Sequence, residues 1–517
     1  MTAFITNAAY FYLFLPFSVF LAAWVKPAVS LPCLIVLAAI FCRMVKSQPK
    51  LKKQQLSKGS LITLAWILLV CFIWAYLAGI GKYTFQGSEY NLRNQMFDLL
   101  LKNDWPVMSL QGSEANPGPS ALIYCIGSWL PAAAAGKIFG EGFGQFFLLF
   151  WTATQLFLFY ALFCFRFLKR LAVWPLFIFI AFSGLDIIGY MVMIRSDIAS
   201  TTHIEWWAPP LQYSGFTTQL FWMFNQAAPA WLAAILMLVQ KSGRFLAVLA
   251  ALAIITSGVS SIGLFLLAIF IGCSSVWNKM KSQRENFFEM NAINLWKWKF
   301  SAETPHRFIN ESLSKALIIA NSAGVSFDNV LGGGLIGILS CLYLANGASP
   351  LRLAFQDFNG GFIVKLAFFF ILEAGAYLFA VYRYQKNNPM FFFCFSALLA
   401  IPLFSEANSV YRDFCMRASI PILTVLFALV IDSLIKSARN KDRLTIAALA
   451  LMIAIGAGTS GREIARSLIS TIAQSNYSED ISAGTALPFD PGQMDGFSRP
   501  VEGSAFFERF AKAAPTA

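Results

Sequence analysis

Residues 59–81, GSLITLAWILLVCFIWAYLAGIG, carry no charged side chain, and an apolar run of that length decides which solvent the segment folds in. A helix of about 20 mostly apolar residues matches the ~30 Å hydrocarbon core of a bilayer. Similar runs recur along the chain, separated by charged or Pro/Gly-rich breaks. Of the 517 residues, 58% are hydrophobic and 13% charged, against about 25% charged in an ordinary soluble domain. The expected fold class is an all-α polytopic membrane protein with about 11–14 transmembrane helices.

The formal net charge of +13 does not indicate nucleic-acid binding, because the basic residues sit in short connections between apolar runs, most clearly KSQPKLKKQQLSK at 46–58. That distribution is the positive-inside signal. The 9 cysteines lie in or beside apolar runs without CxxC spacing, so neither a disulfide framework nor a zinc site is expected. No Lys or Arg precedes Lys26, so the N-terminus lacks the basic region of a secretory signal and is expected to be a retained helix.

With 46–58 in the cytoplasm, the N-terminus is cytoplasmic and 60–80 delivers residues 81–143 to the outer face. The next basic cluster, Arg166, Lys169 and Arg170, leaves room for only one crossing at about 144–166. The apolar stretch 120–140 is therefore expected to lie in the plane of the outer surface as one helix, bent at Pro131. Residues 191–226 form a second outer segment, 226–240 returns inward, and 245–272 reads as a tight hairpin broken near 257–261. A cytoplasmic stretch at 277–325 ends in an in-plane amphipathic helix, and crossings follow near 328–346, 361–381, 390–404, 418–435 and 444–460. Residues 1–460 are read as one transmembrane domain and 461–517 as an extracytoplasmic tail.

This topology puts most carboxylates on the outer side. In 87–107, GSEYNLRNQMFDLLLKNDWPV, Glu89 and Arg93 stand at i,i+4, and Asn94 and Asp98 share a second helical face. Only one of Glu89 and Asp98 can then face a site. In 195–207, Arg195, Asp197, His203 and Glu205 gather, but His203 has no second histidine beside it to suggest a metal. Arg412, Asp413 and Arg417 cluster at a helix end, where two arginines beside an acid make a fork-shaped donor set for a phosphate at headgroup depth. The glycine-rich loop FQDFNGG at 355–361 suits close approach of a ligand or of another loop.

The order of short motifs resembles the GT-C glycosyltransferases, including bacterial aminoarabinose-lipid A transferases and protein mannosyltransferases. In those proteins an acidic Asp-Glu-x-x-Tyr-like motif in the first outer loop is followed by a helix, Gly-Asp-Trp and a proline-containing segment. Here SEY (88–90), NDW (103–105) and NPGPSALIYCIGSWL (116–130) stand in those places. The likeness covers about residues 60–200. Ser88 replaces the usual first acid, and Asn116 the usual His or Lys.

The resemblance implies a GT-C-like fold with in-plane helices in the first outer loop, and transfer of a sugar from a polyprenyl-phosphate donor to an envelope lipid, glycan or protein acceptor. Transfer would usually invert the anomeric centre. One carboxylate, Glu89 or Asp98, would take the acceptor proton, and cations would steady the departing phosphate. Arg412 and Arg417 are the first phosphate candidates, with Arg93 and Arg195 behind them. Asn94, Asp197, His203 and Asp413 complete the expected substrate-binding set. No cofactor is implied by the residues, and a divalent cation is left open. Two other readings stand beside this one, a multi-pass transporter or flippase and a polysaccharide polymerase or ligase. Glu373, within an apolar run, is the residue that most suits the transporter.

Overall fold

The computed structural model describes residues 2–48, 58–109, 118–195, 203–240, 243–294, 324–345, 353–406, 413–473 and 497–512. Among the described residues, ten helices are long and apolar enough to cross a membrane: Thr2–Trp24, Pro27–Ser47, Lys58–Leu77, Glu141–Leu168, Trp174–Met193, Phe216–Val239, Gly258–Lys281, Gly360–Gln385, Phe414–Arg439 and Arg443–Ile472. The protein is a multi-pass helical membrane protein. Two further expected crossings are present as shorter apolar helices, Asn329–Leu344 and Pro389–Leu403.

Burial sorts these helices. In Phe216–Val239 and Phe414–Arg439, 89% and 83% of the most apolar stretch is buried, against 22% in Pro27–Ser47, Lys58–Leu77 and Arg443–Ile472. The first pair therefore forms the centre of the bundle, and the other three present apolar surface outward, as helices in lipid do. Small residues set the closest crossings. A Cβ on Gly263 would lie 2.1 Å from the Ala418 carbonyl oxygen, so the Gly258–Asn294 helix meets Phe414–Arg439 backbone to side. Gly136 and Gly144 likewise bring Leu130–Phe139 onto Glu141–Phe163.

One end of the bundle gathers basic side chains. There Asp328, buried, is held by Arg43 at 3.1 Å and Arg244 at 2.5 Å. Arg166 donates to the Leu238 carbonyl and Arg383 pairs with Asp442. The opposite end carries the 87–107 segment as a helix, Glu89–Lys102. It also carries a small antiparallel sheet of Met108–Ser109, Ser120–Leu122 and Ser498–Pro500, with Ala121 opposite Arg499.

The element boundaries correct several expectations. Residues 120–140 are not one helix: 120–122 is a strand and the helix starts at Leu130, with Pro131 in its first turn. Proline is tolerated there because the first-turn N–H has no helical partner, so it opens the helix instead of bending it. The second expected outer segment is shorter than 191–226, since the helix begins at Phe216. The break in 245–272 falls at 253–257, between Leu246–Leu252 and Gly258–Asn294. The last crossing continues past 460 to Ile472, because Glu463 finds Arg466 within the same helix and faces the protein. The in-plane helix expected before 325 lies outside the described residues.

Candidate functional site

A cavity of about 510 Å³ opens at the end of the bundle that carries the 87–107 segment. Six stretches of the chain supply its walls. Glu89 and Arg93 come from the first turns of Glu89–Lys102, and Tyr124 and Trp129 from the loop before Leu130. His203, Trp206 and Gln212 come from the segment preceding Phe216. Trp222, Met223 and Gln226 follow on the kinked start of Phe216–Val239, where Met223 leaves helical geometry at φ −152°, ψ 42°. Asp413 and Arg417 begin the Phe414–Arg439 helix, and Phe497 closes the wall from the C-terminal segment.

Two arginines and two carboxylates line the cavity as neighbouring pairs, Arg93 with Glu89 and Arg417 with Asp413. Glu89 Oε2 lies 3.6 Å from Arg93 Nη2, and the Glu89 side chain, 49% exposed, lines the cavity. Arg93 Nη1 is buried with no partner in the protein. Arg417 Nη2 donates to Asp413 Oδ2 at 2.6 Å, while its Nε is also buried and unpartnered. A guanidinium nitrogen hidden from bulk water without an acceptor is costly unless a ligand supplies one. Tyr124 lines the same cavity: burial pushes its hydroxyl pKa up, and the positive charges of Arg417 and Arg93 pull the other way. Two forked donors and a phenol lining one cavity suit a phosphate.

The opposite wall is aromatic. His203 stacks on Trp222 with centroids 4.8 Å apart, and Trp206 tilts against the same imidazole at 5.1 Å. Trp222 is fixed in turn: its Nε1 donates to Glu463 at 2.9 Å, and the Arg466 guanidinium, paired with Glu463, lies over its ring. Burial, and after it the charge of Arg466, drive the His203 pKa down to about 3, so the imidazole is neutral. Flat apolar faces beside polar donors suit a sugar ring, whose C–H faces are apolar and whose edges bear hydroxyls.

Behind this wall lie three buried carboxyl groups. Glu205 accepts from the Gly215 amide at 2.9 Å and from Gln212 at 3.1 Å. Burial, and then the negative charge of Asp186, push it up to about 8. Asp186 accepts from Ser183 at 2.7 Å and is in hydrogen-bonding contact with Glu373, which receives the Trp207 indole N–H at 3.0 Å. Gln212 links Glu205 to the cavity, since its carbonyl accepts from Trp206 Nε1 at 3.1 Å.

The sequence candidates separate accordingly. Glu89, Arg93, His203, Asp413 and Arg417 come together at the cavity. Asp98 does not: it pairs with Lys82 at 3.2 Å on the far face of its helix. Asn94 binds Gln86 at 2.7 Å, and Gln86 in turn the Gly79 carbonyl, so Asn94 ties down the start of the loop. Arg195, exposed with φ +57°, donates to the Val192 carbonyl away from the cavity. Asp197 and Arg412 lie outside the described residues. Tyr124, Gln226, Glu463 and Arg466 were not among the candidates.

Among the described residues no group of three or more His, Cys, Asp or Glu is arranged to hold a metal ion. No protein family, curated protein or solved structure matches the chain.

Proposed function

We propose that the protein is a membrane glycosyltransferase that moves a sugar from a polyprenyl-phosphate donor to a lipid, glycan or protein acceptor at the outer membrane face. The observation that carries this reading is one cavity holding the Glu89 carboxylate beside two arginines, each with a buried guanidinium nitrogen that lacks a protein acceptor. In the reaction, the acceptor hydroxyl oxygen bonds to the anomeric carbon and the carbon–oxygen bond to phosphate breaks. The polyprenyl phosphate leaves with that electron pair, and Glu89 takes the hydroxyl proton. Arg93 and Arg417 neutralise the charge that grows on the leaving phosphate. Attack opposite the departing group inverts the anomeric centre. The aromatic wall of Trp206 and Trp222 holds the sugar.

The test offers proteoliposomes a radiolabelled polyprenyl-phosphate sugar and follows label into acceptor. Loss of a positioned general base costs roughly 10²–10⁴-fold, so Glu89→Gln is expected to lower transfer at least a hundredfold, while Asp98→Asn leaves it within about twofold. Transfer unchanged by Glu89→Gln would falsify the mechanism.

A second reading, a transporter of lipid-linked or small substrates, draws on Asp186 and Glu373, buried carboxyls within membrane-length helices. It predicts label movement across the bilayer that Glu373→Gln abolishes and Glu89→Gln spares.

A further inference from the structure

At the basic end of the bundle, opposite the cavity described above, a second cleft of about 870 Å³ opens between Trp174–Ala181, the end of Phe414–Arg439 and the face of Arg443–Ile472. We propose that this cleft binds an anionic phospholipid, its phosphate held by Arg170 and Arg439 and an acyl chain laid along the last helix. The inference does not depend on the transferase reading.

Charge is the first argument. Arg170 and Arg439 stand at the mouth, and the nearby acids are already committed elsewhere. Asp442 is held by Arg383, Tyr384 and Thr445, and Asp432 by Lys436 and Gln385. Of the other cations of the 166–170 turn, Lys169 donates to the Arg166 carbonyl at 2.7 Å and Arg166 to the Leu238 carbonyl at 2.9 Å. The mouth therefore keeps two positive charges, and basic pockets between transmembrane helices recruit anionic headgroups.

Shape is the second. Ile446, Ala450, Ile453, Ala454 and Ala457 line the cleft and repeat at i, i+4, i+7, i+8 and i+11, one face of one helix. Alanine at the middle and the far end of that stripe leaves a channel where larger side chains would fill it. From 446 to 457 the helix rises about 16 Å, close to half the ~30 Å hydrocarbon thickness. The channel thus runs from headgroup level to the bilayer midplane, the depth of one acyl chain. Trp174, 46% exposed at the cleft edge, sits where interfacial tryptophans anchor.

The experiment uses the full chain, purified and mixed with equal phosphatidylglycerol and phosphatidylcholine, with retained lipid counted by native mass spectrometry. Two cations at the headgroup predict a preference for phosphatidylglycerol of roughly ten- to thirtyfold. The R170A/R439A double variant is expected to bring the preference below about twofold, and R170K/R439K to keep most of it. Ala454→Leu, which fills the channel and leaves both arginines in place, is expected to lose the retained lipid. Equal retention of the two lipids by the wild type overturns the proposal, as does an undiminished preference in R170A/R439A. If the double variant does not fold, Ala454→Leu decides the matter: undiminished phosphatidylglycerol retention in that variant removes the acyl channel and with it the site.

Discussion

Glu205 and His203 sit on one buried loop, and burial drives their ionisation in opposite senses. Glu205 titrates near 8 in the folded protein and near ~4.3 unfolded, so its contribution to stability is full below the lower value and is lost as pH rises through 8. His203 titrates near 3 when folded and near ~6.5 unfolded, so its contribution is full above ~6.5 and is lost as pH falls through 3. The two oppose each other below about 6.5, and between there and 8 the Glu205 term stands without the histidine. In that window wild-type stability in detergent is expected to fall with rising pH, Glu205 supplying up to ~1.4 kcal/mol per unit. Glu205→Gln keeps an acceptor for the Gly215 amide and removes the proton, so its slope is expected to be shallower. Asp186 and Glu373 are present in both proteins, and the difference between the slopes reports Glu205 together with its electrostatic coupling to them. Thermal midpoints at pH 6.5, 7.25 and 8 measure it, and parallel curves would show that Glu205 does not titrate there.

Helices carry the site by where their backbones cross. Gly263 lets the Gly258–Asn294 helix approach within a methyl's width of the Ala418 carbonyl, one residue beyond Arg417. Gly263→Ala forces that crossing apart, at a cost of about 1–3 kcal/mol for overpacking, and tilts the start of Phe414–Arg439 away from Tyr124. Both a thermal midpoint several degrees lower and a transfer rate at least tenfold lower are expected. Gly461→Ala, where an added Cβ meets nothing within 4 Å, serves as the control and is expected to change neither.

The same elements show what could be read beforehand. Charge-free runs and basic turns gave most helices to within a few residues, because in a bilayer length and polarity leave few alternatives. The Glu89–Arg93 turn was legible for the same reason, as charge where little is tolerated. The choice of Glu89 over Asp98 was not, since it rests on Lys82, in left-handed conformation at φ +66°, reaching Asp98 from the other side. Tyr124 and Arg466 were hidden too. Each looks ordinary in its own segment and acquires meaning from a partner distant in the chain, Arg417 for Tyr124 and Trp222 for Arg466.

Over the whole molecule the chain closes on itself. The described C-terminal residues do not hang free: Ser498–Pro500 adds a third strand to the sheet at Ser120–Leu122, and the Ile123 amide donates to the Phe497 carbonyl at 2.8 Å. Phe506 and Phe507 bury against Tyr343, with Phe506 also against Phe20, and the Lys26 and Lys512 amides bond to Phe510 and Trp24. This strap joins the first helix, the loop after the 87–107 segment and the helix ending at Leu344, and it sets Phe497 against Tyr124 with ring centroids 4.9 Å apart. Its loss therefore acts on the cavity and on the bundle together. A chain ending at residue 496 exposes the apolar seats of Phe506 and Phe507, each worth about 1.5–3 kcal/mol when filled, and frees Tyr124 from one wall. Its thermal midpoint is expected to drop, and sugar transfer to fall more than tenfold. Phe497→Ala keeps the strand and α-helical contacts and removes only the ring, so it is expected to lower transfer with little change in midpoint. If the shortened chain transfers sugar at the wild-type rate, the strap is not part of the cavity wall in the working protein. If Phe497→Ala matches the truncation in both measurements, the ring alone, and not the strand pairing, holds the two ends of the chain together.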